Sequence, residues 1–347
     1  MRAAVIGTGK ISAEHLRFLQ GRADAQLVGV CDLSPVAAKY HAEQYGAEQA
    51  YTQHREMFDR ARPDVVHILT PAETHPPLVR DALEAGAHVI CEKPLALATG
   101  ELDDLFALGR ERGRQVIEDH NYRFNEPVGE IERMVELGEL GEVREVEVRL
   151  TLPVRDGGRY ADANLPHPSH RLPAGVIHEF VTHLAYLTLR FLPSVQRVAA
   201  AWSNHGGGDL FKYDDLDALV IGGGVHARIR FSAHAQPDGF ELTVRGSRGY
   251  AQTDLFHPCL KRVVPRAVGR QLSPLVNQLA GGARLARASA DNFRRKLMQQ
   301  TPYEGLERLL GLTYDALERG EAPPVTEADI RQTSELVEAL LSPEGRM

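Results

Sequence analysis

A glycine turn, a Glu-Lys-Pro step and a histidine-bearing helix are where side-chain type and spacing in this 347-residue chain suggest chemistry. The turn, Gly7-Thr8-Gly9-Lys10-Ile11-Ser12, follows an apolar run and opens a helical pattern. Glycines there permit a tight bend and let backbone amides approach a pyrophosphate. Ser12 replaces the third glycine and is still small enough for close packing of helix on strand. Asp32 closes the next apolar run, 25 residues after Gly7. An acid at that point accepts hydrogen bonds from a ribose diol and repels a 2′-phosphate, so NAD is expected ahead of NADP.

Two further strand ends carry Thr70-Pro71-Ala72-Glu73-Thr74-His75 and Cys91-Glu92-Lys93-Pro94-Leu95-Ala96. A lysine at the carboxyl edge of a parallel strand can hydrogen-bond a reacting hydroxyl and stabilise its developing alkoxide. Lys93 takes that role, with Glu92 as a positioning residue. The third segment is Ala174-Gly175-Val176-Ile177-His178-Glu179-Phe180-Val181-Thr182-His183. Zinc-protease helices space their histidines at i and i+4. His178 and His183 are five apart, about 140° round a helix, so no metal is expected. Glu179 and His183 are four apart and share a face, where a carboxylate can orient an imidazole for proton transfer. His178 reads either as a substrate contact or as a core histidine.

Short β-branched runs at Arg2–Gly7, Gln26–Asp32, Asp64–Thr70, Ala87–Glu92 and Gln115–Asp119 alternate with helical segments, which is the pattern of a doubly wound parallel sheet. After Asn121 the rhythm changes. A helix over Glu126–Leu137 precedes alternating runs at 143–150, 195–202, 217–221, 225–231, 240–244 and 250–253, joined by glycine turns. An open, mostly antiparallel sheet is predicted there, followed by helices at Pro302–Arg319 and Glu327–Leu341. The expected division is 1–121 and 122–347. A polar, proline-rich stretch from Leu152 to Pro173 reads as a loop leading to the histidine helix, with Arg155, Arg159, Tyr160, His167, His170 and Arg171 available to a hydroxyl-rich or anionic ligand.

Taken together, the glycine turn and the two strand-end segments resemble the Gfo/Idh/MocA oxidoreductase family, with Glu92-Lys93-Pro94 the most specific element. His15, Asn121-Tyr122-Arg123-Phe124, Gly175 to His183 and Val244-Arg245-Gly246-Ser247-Arg248-Gly249 also fall where that family has its marks. The resemblance implies an N-terminal Rossmann domain, a C-terminal α/β domain with an open sheet, and a nicotinamide dinucleotide contacted by Thr70, Pro71, His75, Glu92 and Lys93. It also implies hydride transfer at a hydroxyl carbon of a sugar or cyclitol, and a cis bond before Pro94. His183 would exchange the substrate proton alongside Lys93, and Asn121 and Arg123 match positions near the interdomain cleft. The chain departs from the family pattern in carrying Glu179 for an Asp, Val181 for a small residue, and Tyr186 for a frequent second Asp.

Composition narrows the remaining choices. Lys and Arg number 40 against 47 acids, a net charge of −7, and 43% of residues are hydrophobic, enough for packed cores. No signal-peptide or membrane-spanning pattern is present in the sequence, so the cytoplasm is the expected compartment. Cys31, Cys91 and Cys259 lack metal-like spacing and read as buried thiols. Residues 257–300 hold nine Lys or Arg against one Asp, a charge of +8, so the remainder carries −15. Apolar residues recur there every three or four positions, predicting an amphipathic helix interrupted or bent at Gly281-Gly282. Packing on the chain's own domain or on an acidic partner is favoured over a phosphate-bearing substrate or a lipid surface, and nothing accompanies the charge that would read nucleic acid. The sequence is thus read as an NAD-dependent dehydrogenase of a sugar-like polyol or nucleotide sugar, forming a homodimer or homotetramer. Its rivals are a redox-neutral NAD enzyme and a non-catalytic nucleotide sensor.

Overall fold

A computed structural model describes residues 1–164, 167–206, 210–298 and 303–342. The chain divides into two compact units, Met1–Asn121 with Gly305–Glu335, and Tyr122–Glu304 with the chain from Leu336.

Strands β1 (Arg2–Ile6), β2 (Gln26–Cys31), β3 (Ala50–Tyr51), β4 (Val65–Ile68), β5 (His88–Cys91) and β6 (Val116–Glu118) form the first sheet. They pair in parallel in the order β3-β2-β1-β4-β5-β6. Helices α1 (Ser12–Gly21), α2 (Pro35–Tyr45), α3 (His54–Ala61), α4 (His75–Glu84) and α5 (Thr99–Arg112) connect them. Residues such as Val5, Val66 and Ile90 are fully buried. A sheet covered on both faces needs continuous apolar runs, which is what made these strands readable. β3 is two residues long and offers no such run. The strand order reverses between β1 and β4, so the loops leaving their carboxyl ends border the crevice where such sheets take ligands.

The expected single cut at 121/122 is corrected by the chain's return. Helix α9 (Glu304–Arg319) buries Leu306, Leu309, Leu310 and Tyr314 in the first unit. There Tyr314 Oη lies 2.9 Å from His67 Nε2 on β4, and Arg22 bonds Asp315 at 2.8 Å. The start predicted at Pro302 lies outside the described residues. Helix α10 (Glu327–Leu341) begins in the first unit, where Arg110 pairs with Glu327 and Asp103 with Arg331, and ends in the second, with Leu336 and Leu340 in its core.

The second unit holds β7 (Val143–Thr151), β8 (Arg197–Ser203), β9 (Asp215–Gly222), β10 (Val225–Ser232), β11 (Gly239–Gly246), β12 (Tyr250–Asp254) and β13 (Lys261–Val263). Their order is β13-β12-β11-β7-β10-β9-β8, with β10 and β7 parallel and the other neighbours antiparallel. Helix α6 (Glu126–Glu136) contacts β12, and α7 (Val176–Leu189) packs on β7 and β10. The alternating burial along β10 shows one covered face and one wet face. Helix α8 (Ser273–Leu297) runs unbroken through Gly281-Gly282, against the predicted interruption. Helical hydrogen bonds need no side chain, and glycine costs such a helix only about 1 kcal/mol per residue. Among the described residues, no helix is long and apolar enough to cross a membrane.

Candidate active site

The glycine turn sits between β1 and α1. Gly7 has φ +94°, and a Cβ there would stand 2.7 Å from the carbonyl oxygen of Leu69, so no other residue fits without displacing the β4 loop. A Cβ at Gly9 would meet nothing within 4 Å. Ser12 closes the turn by donating its hydroxyl to the Gly9 carbonyl at 2.7 Å. Asp32 Oδ2 accepts from the Thr8 amide and hydroxyl at 2.9 and 2.7 Å, and Oδ1 accepts from the Ser34 amide at 2.8 Å. Partial burial works against its ionisation, but the bonds from Ser34 and Thr8 prevail and hold its carboxyl below the usual range. An anchored carboxylate beside an open glycine and the α1 N-terminus suits a dinucleotide, which Gly7, Thr8, Gly9, Lys10, Ile11 and Asp32 would hold.

The loop after β4 is tied to the loop after β5 by His75. Its Nε2 faces the Thr70 carbonyl at 2.8 Å and its Nδ1 the Pro94 carbonyl at 2.7 Å. His75 therefore acts on the site through backbone. Thr70 and Thr74 hydroxyls are 2.7 Å apart, and Thr74 donates to Pro71 at 2.7 Å, rigidifying the same turn. The Lys93-Pro94 bond is cis, as the family resemblance implied. The Lys93 amide donates to Glu92 Oε2 at 3.2 Å, and the Leu95 amide to Glu118 Oε2 at 3.0 Å, fixing the backbone on both sides of the lysine.

Behind Lys93 lies a buried network that the sequence did not disclose. Enclosure by protein pushes the Glu92 carboxyl up to about 7, with neighbouring Asp119 adding to the effect and Lys93 opposing it. Burial likewise raises Asp119 to about 6, against the opposing pull of its neighbours Glu92, His120 and Lys93. Two carboxyls in one enclosed space cannot both ionise cheaply, and burial holds each above the ordinary carboxylate range. His15 Nε2 stands 3.7 Å from Asp119 Oδ2, and its Nδ1 is 2.8 Å from Nδ1 of His67, whose Nε2 meets Tyr314 Oη. Burial lowers His15 to about 4 and His67 further, so both rings are neutral near pH 7. Only one proton can occupy the Nδ1···Nδ1 contact. Placing it on His67 leaves His15 Nε2–H facing the Asp119 carboxylate and lets the Tyr314 hydroxyl donate to His67, the electrostatically favoured order. Of these residues only Glu92 and His15 were marked in the sequence; His67 and Tyr314, 247 positions apart, carry no local sign of their contact.

In the second unit, α7 starts at Gly175 and buries His178, Thr182, His183 and Tyr186. His183 Nδ1 lies 2.9 Å from Tyr186 Oη, which also accepts from the Tyr122 amide at 3.1 Å. The Tyr122 ring meets the imidazole edge-on, with centroids 4.9 Å apart. Tyr186, noted in the sequence as a departure from an acid, is thus a hydrogen-bonding partner that fixes His183. Glu179 lies one turn earlier. Its Oε1 accepts from the Tyr160 hydroxyl at 2.9 Å and from Arg159 at 3.4 Å, and its Oε2 is 3.7 Å from His167 Nδ1. Burial and the Glu179 charge push the Tyr160 phenol well above its ordinary range, which keeps it a donor. Glu179 is thus tied to the loop before α7, and His183 to Tyr186.

Other anticipated residues scatter. Arg155 is bound to buried Asp214 at 2.7 Å and to the His205 carbonyl at 3.1 Å, so it anchors its loop to the start of β9. Asn121 is buried at the end of the first unit, while Arg123 lies in the second with its guanidinium over Phe124. Cys31 and Cys91 are buried free thiols, and Cys259 is free and half-buried.

Comparison with known proteins agrees with this architecture. Residues 1–120 match the oxidoreductase family with an NAD-binding Rossmann fold, and residues 128–252 match the GFO/IDH/MocA C-terminal domain. The chain is 30% identical over 263 residues to the dTDP-3,4-didehydro-2,6-dideoxy-alpha-D-glucose 3-reductase of Streptomyces violaceoruber, covering 73% of this chain and 72% of that one. It is 33% identical to the D-glucoside 3-dehydrogenase of Escherichia coli (strain K12) over 144 residues, spanning only 41% of each. The structure of an oxidoreductase from Agrobacterium radiobacter in complex with NAD+, L-tartaric acid and magnesium superposes with a TM-score of 0.79 at 17% identity, over 98% of this chain and 94% of that one. The chain belongs to the Gfo/Idh/MocA family.

Proposed function

We propose that this protein is a nicotinamide-dependent oxidoreductase that interconverts a hydroxyl carbon and a carbonyl in a sugar, cyclitol or nucleotide sugar, with NAD preferred over NADP. The observation that carries this reading is Lys93, fixed just past the carboxyl end of β5 in a dinucleotide-type sheet, beside the buried carboxyls of Glu92 and Asp119. Relatives named as a glucoside 3-dehydrogenase and a deoxyglucose 3-reductase support the substrate class.

When bound, the nicotinamide ring supplies the hydride acceptor or donor. The Lys93 ammonium stabilises negative charge developing on the substrate oxygen. His183 exchanges the hydroxyl proton, and because its Nδ1 is committed to Tyr186, the exchange falls to Nε2. Glu179 positions the Arg159-Tyr160 loop for substrate, and Asp32 selects against a 2′-phosphate. His178, Asn121 and Arg123 complete the proposed substrate contacts, while Arg155 acts through the loop it anchors. We further propose a homodimer or homotetramer built on the open sheet face of the second unit, which light scattering measures.

The test is to denature purified protein, identify released nucleotide by mass, and follow absorbance of reduced nicotinamide with a panel of sugars, cyclitols and nucleotide sugars. NADH accumulating with one compound establishes the dehydrogenase and its substrate class. Tightly held NAD with no net reduction, but with product formed, would assign a redox-neutral reaction instead.

A further inference from the structure

Helix α8 is amphipathic in the opposite sense to a helix packed on its own protein. Its inward row mixes polar residues with small ones and holds none of the helix's large apolar side chains except Val276. Asn277 is buried, donating to the Val264 carbonyl at 2.8 Å and accepting from Arg266 Nε at 2.8 Å, and Asn292 donates to the Pro258 carbonyl at 3.2 Å. The outward row is apolar, with Leu275, Leu279, Phe293 and Leu297 exposed by 55, 77, 65 and 69%. At 100° per residue these four fall within about 40° of one another and opposite Asn277. The packing expected from the sequence would have buried this row. Water does not select apolar side chains aligned along about 33 Å of helix at about 1.5 Å per residue, so the row has another occupant.

Charge identifies the occupant. Arg287 and Arg294 flank the apolar row on one side and Lys296 on the other, where cations of an interfacial helix meet headgroup phosphates. Residues 257–300 carry +8 in a chain whose remainder carries −15. That separation favours an anionic surface and opposes pairing of α8 with the α8 of a second copy, which bears the same charge. We propose that α8 seats this protein on an anionic lipid surface, with Leu275, Leu279, Phe293 and Leu297 in the acyl boundary and the flanking cations among the phosphates. The helix is too charged to cross and lies in the plane.

The test uses the full chain sedimented with vesicles of phosphatidylcholine alone or with phosphatidylglycerol added, and light scattering of the same samples without lipid. Binding is expected only with phosphatidylglycerol, falling with salt and by about fivefold for each of Arg287→Ala and Arg294→Ala. Leu279→Glu combined with Phe293→Glu should weaken it by at least about tenfold. Both are exposed positions, so an unchanged melting temperature and circular dichroism spectrum would confirm that fold is retained. Absence of binding, equal binding to neutral vesicles, or binding that the double variant leaves intact would overturn the proposal. A dimer that the double variant converts to monomer, with no vesicle binding by the parent, would assign the row to a second copy instead.

Discussion

The first unit covers its sheet on both faces, whereas the second leaves one face open, and their functional side chains differ accordingly. A fully buried parallel sheet has no room for chemistry along its strands. Its proposed active groups therefore sit on the short turns after β1, β2, β4 and β5, where Gly7, Asp32, Thr70 and Lys93 lie close to strand ends in the sequence. In the second unit the proposed proton-exchanging group, His183, lies in the middle of α7, and its partners come from wherever packing brings them. Around His183, Tyr122 approaches from before α6 and Tyr186 from one turn further along α7, while Tyr160 reaches Glu179 from the loop before the helix. Local sequence thus specifies the first kind of site, and packing specifies the second.

If that contrast is right, substitutions at strand-end positions should have the larger and more separable effects. Lys93→Ala should lower turnover by on the order of 10³-fold while nucleotide affinity changes little, since a charge aimed at a developing oxyanion acts mainly in the transition state. His183→Ala should lose about 10² to 10³, and a near-normal rate in either variant would remove that residue from the chemistry. Gly7→Ala forces a side chain against the Leu69 carbonyl at a positive φ. It should cost about 2–4 kcal/mol in urea unfolding or abolish nucleotide binding, and a silent substitution would show that the turn is not rigid.

Tyr186→Phe tests the packing-defined half. A positioning role predicts turnover down by about tenfold and a displaced limb in the pH profile, because the imidazole loses the hydroxyl at Nδ1. An unchanged pH profile would leave Tyr186 only a packing role. The smallest effect is expected from Glu92→Gln on stability. Both Glu92 and Asp119 have carboxyls raised in the folded state, so their contribution is fully present below the ordinary carboxylate range and is lost as pH rises through about 6 and 7. Between pH 5 and 8 the parent should therefore lose on the order of 1 kcal/mol that the neutral glutamine variant retains. Parallel stability curves for the two proteins would mean that the carboxyl pair is not enclosed as described.

Much of the first unit was legible because continuous apolar runs and glycine turns are local signals. The five longer strands, the Gly7 turn and the cis bond before Pro94 all follow from neighbouring residues or from a motif they compose. The two-residue strand β3 left no periodicity to detect, and the passage of α9 into the first unit could not be seen because nothing in residues 305–319 names the surface they bury. The helix over Glu327–Leu341 was placed by its own pattern, yet that pattern is silent on its division between two units.

The sequence by itself determined the alternation of strands and helices, the dinucleotide-type turn with its acid, and the presence of a lysine and a histidine suited to hydroxyl chemistry. Only the tertiary structure decided that Glu179 serves Tyr160, that Tyr186 holds His183, that Glu92 and Asp119 are enclosed together, and that the apolar row of α8 faces outward. Periodicity and turn chemistry act between residues a few positions apart and are written in order along the chain. Hydrogen-bond partners, burial and the pKa shifts that follow depend on groups brought together across as many as 293 positions, and no local pattern encodes which of them meet.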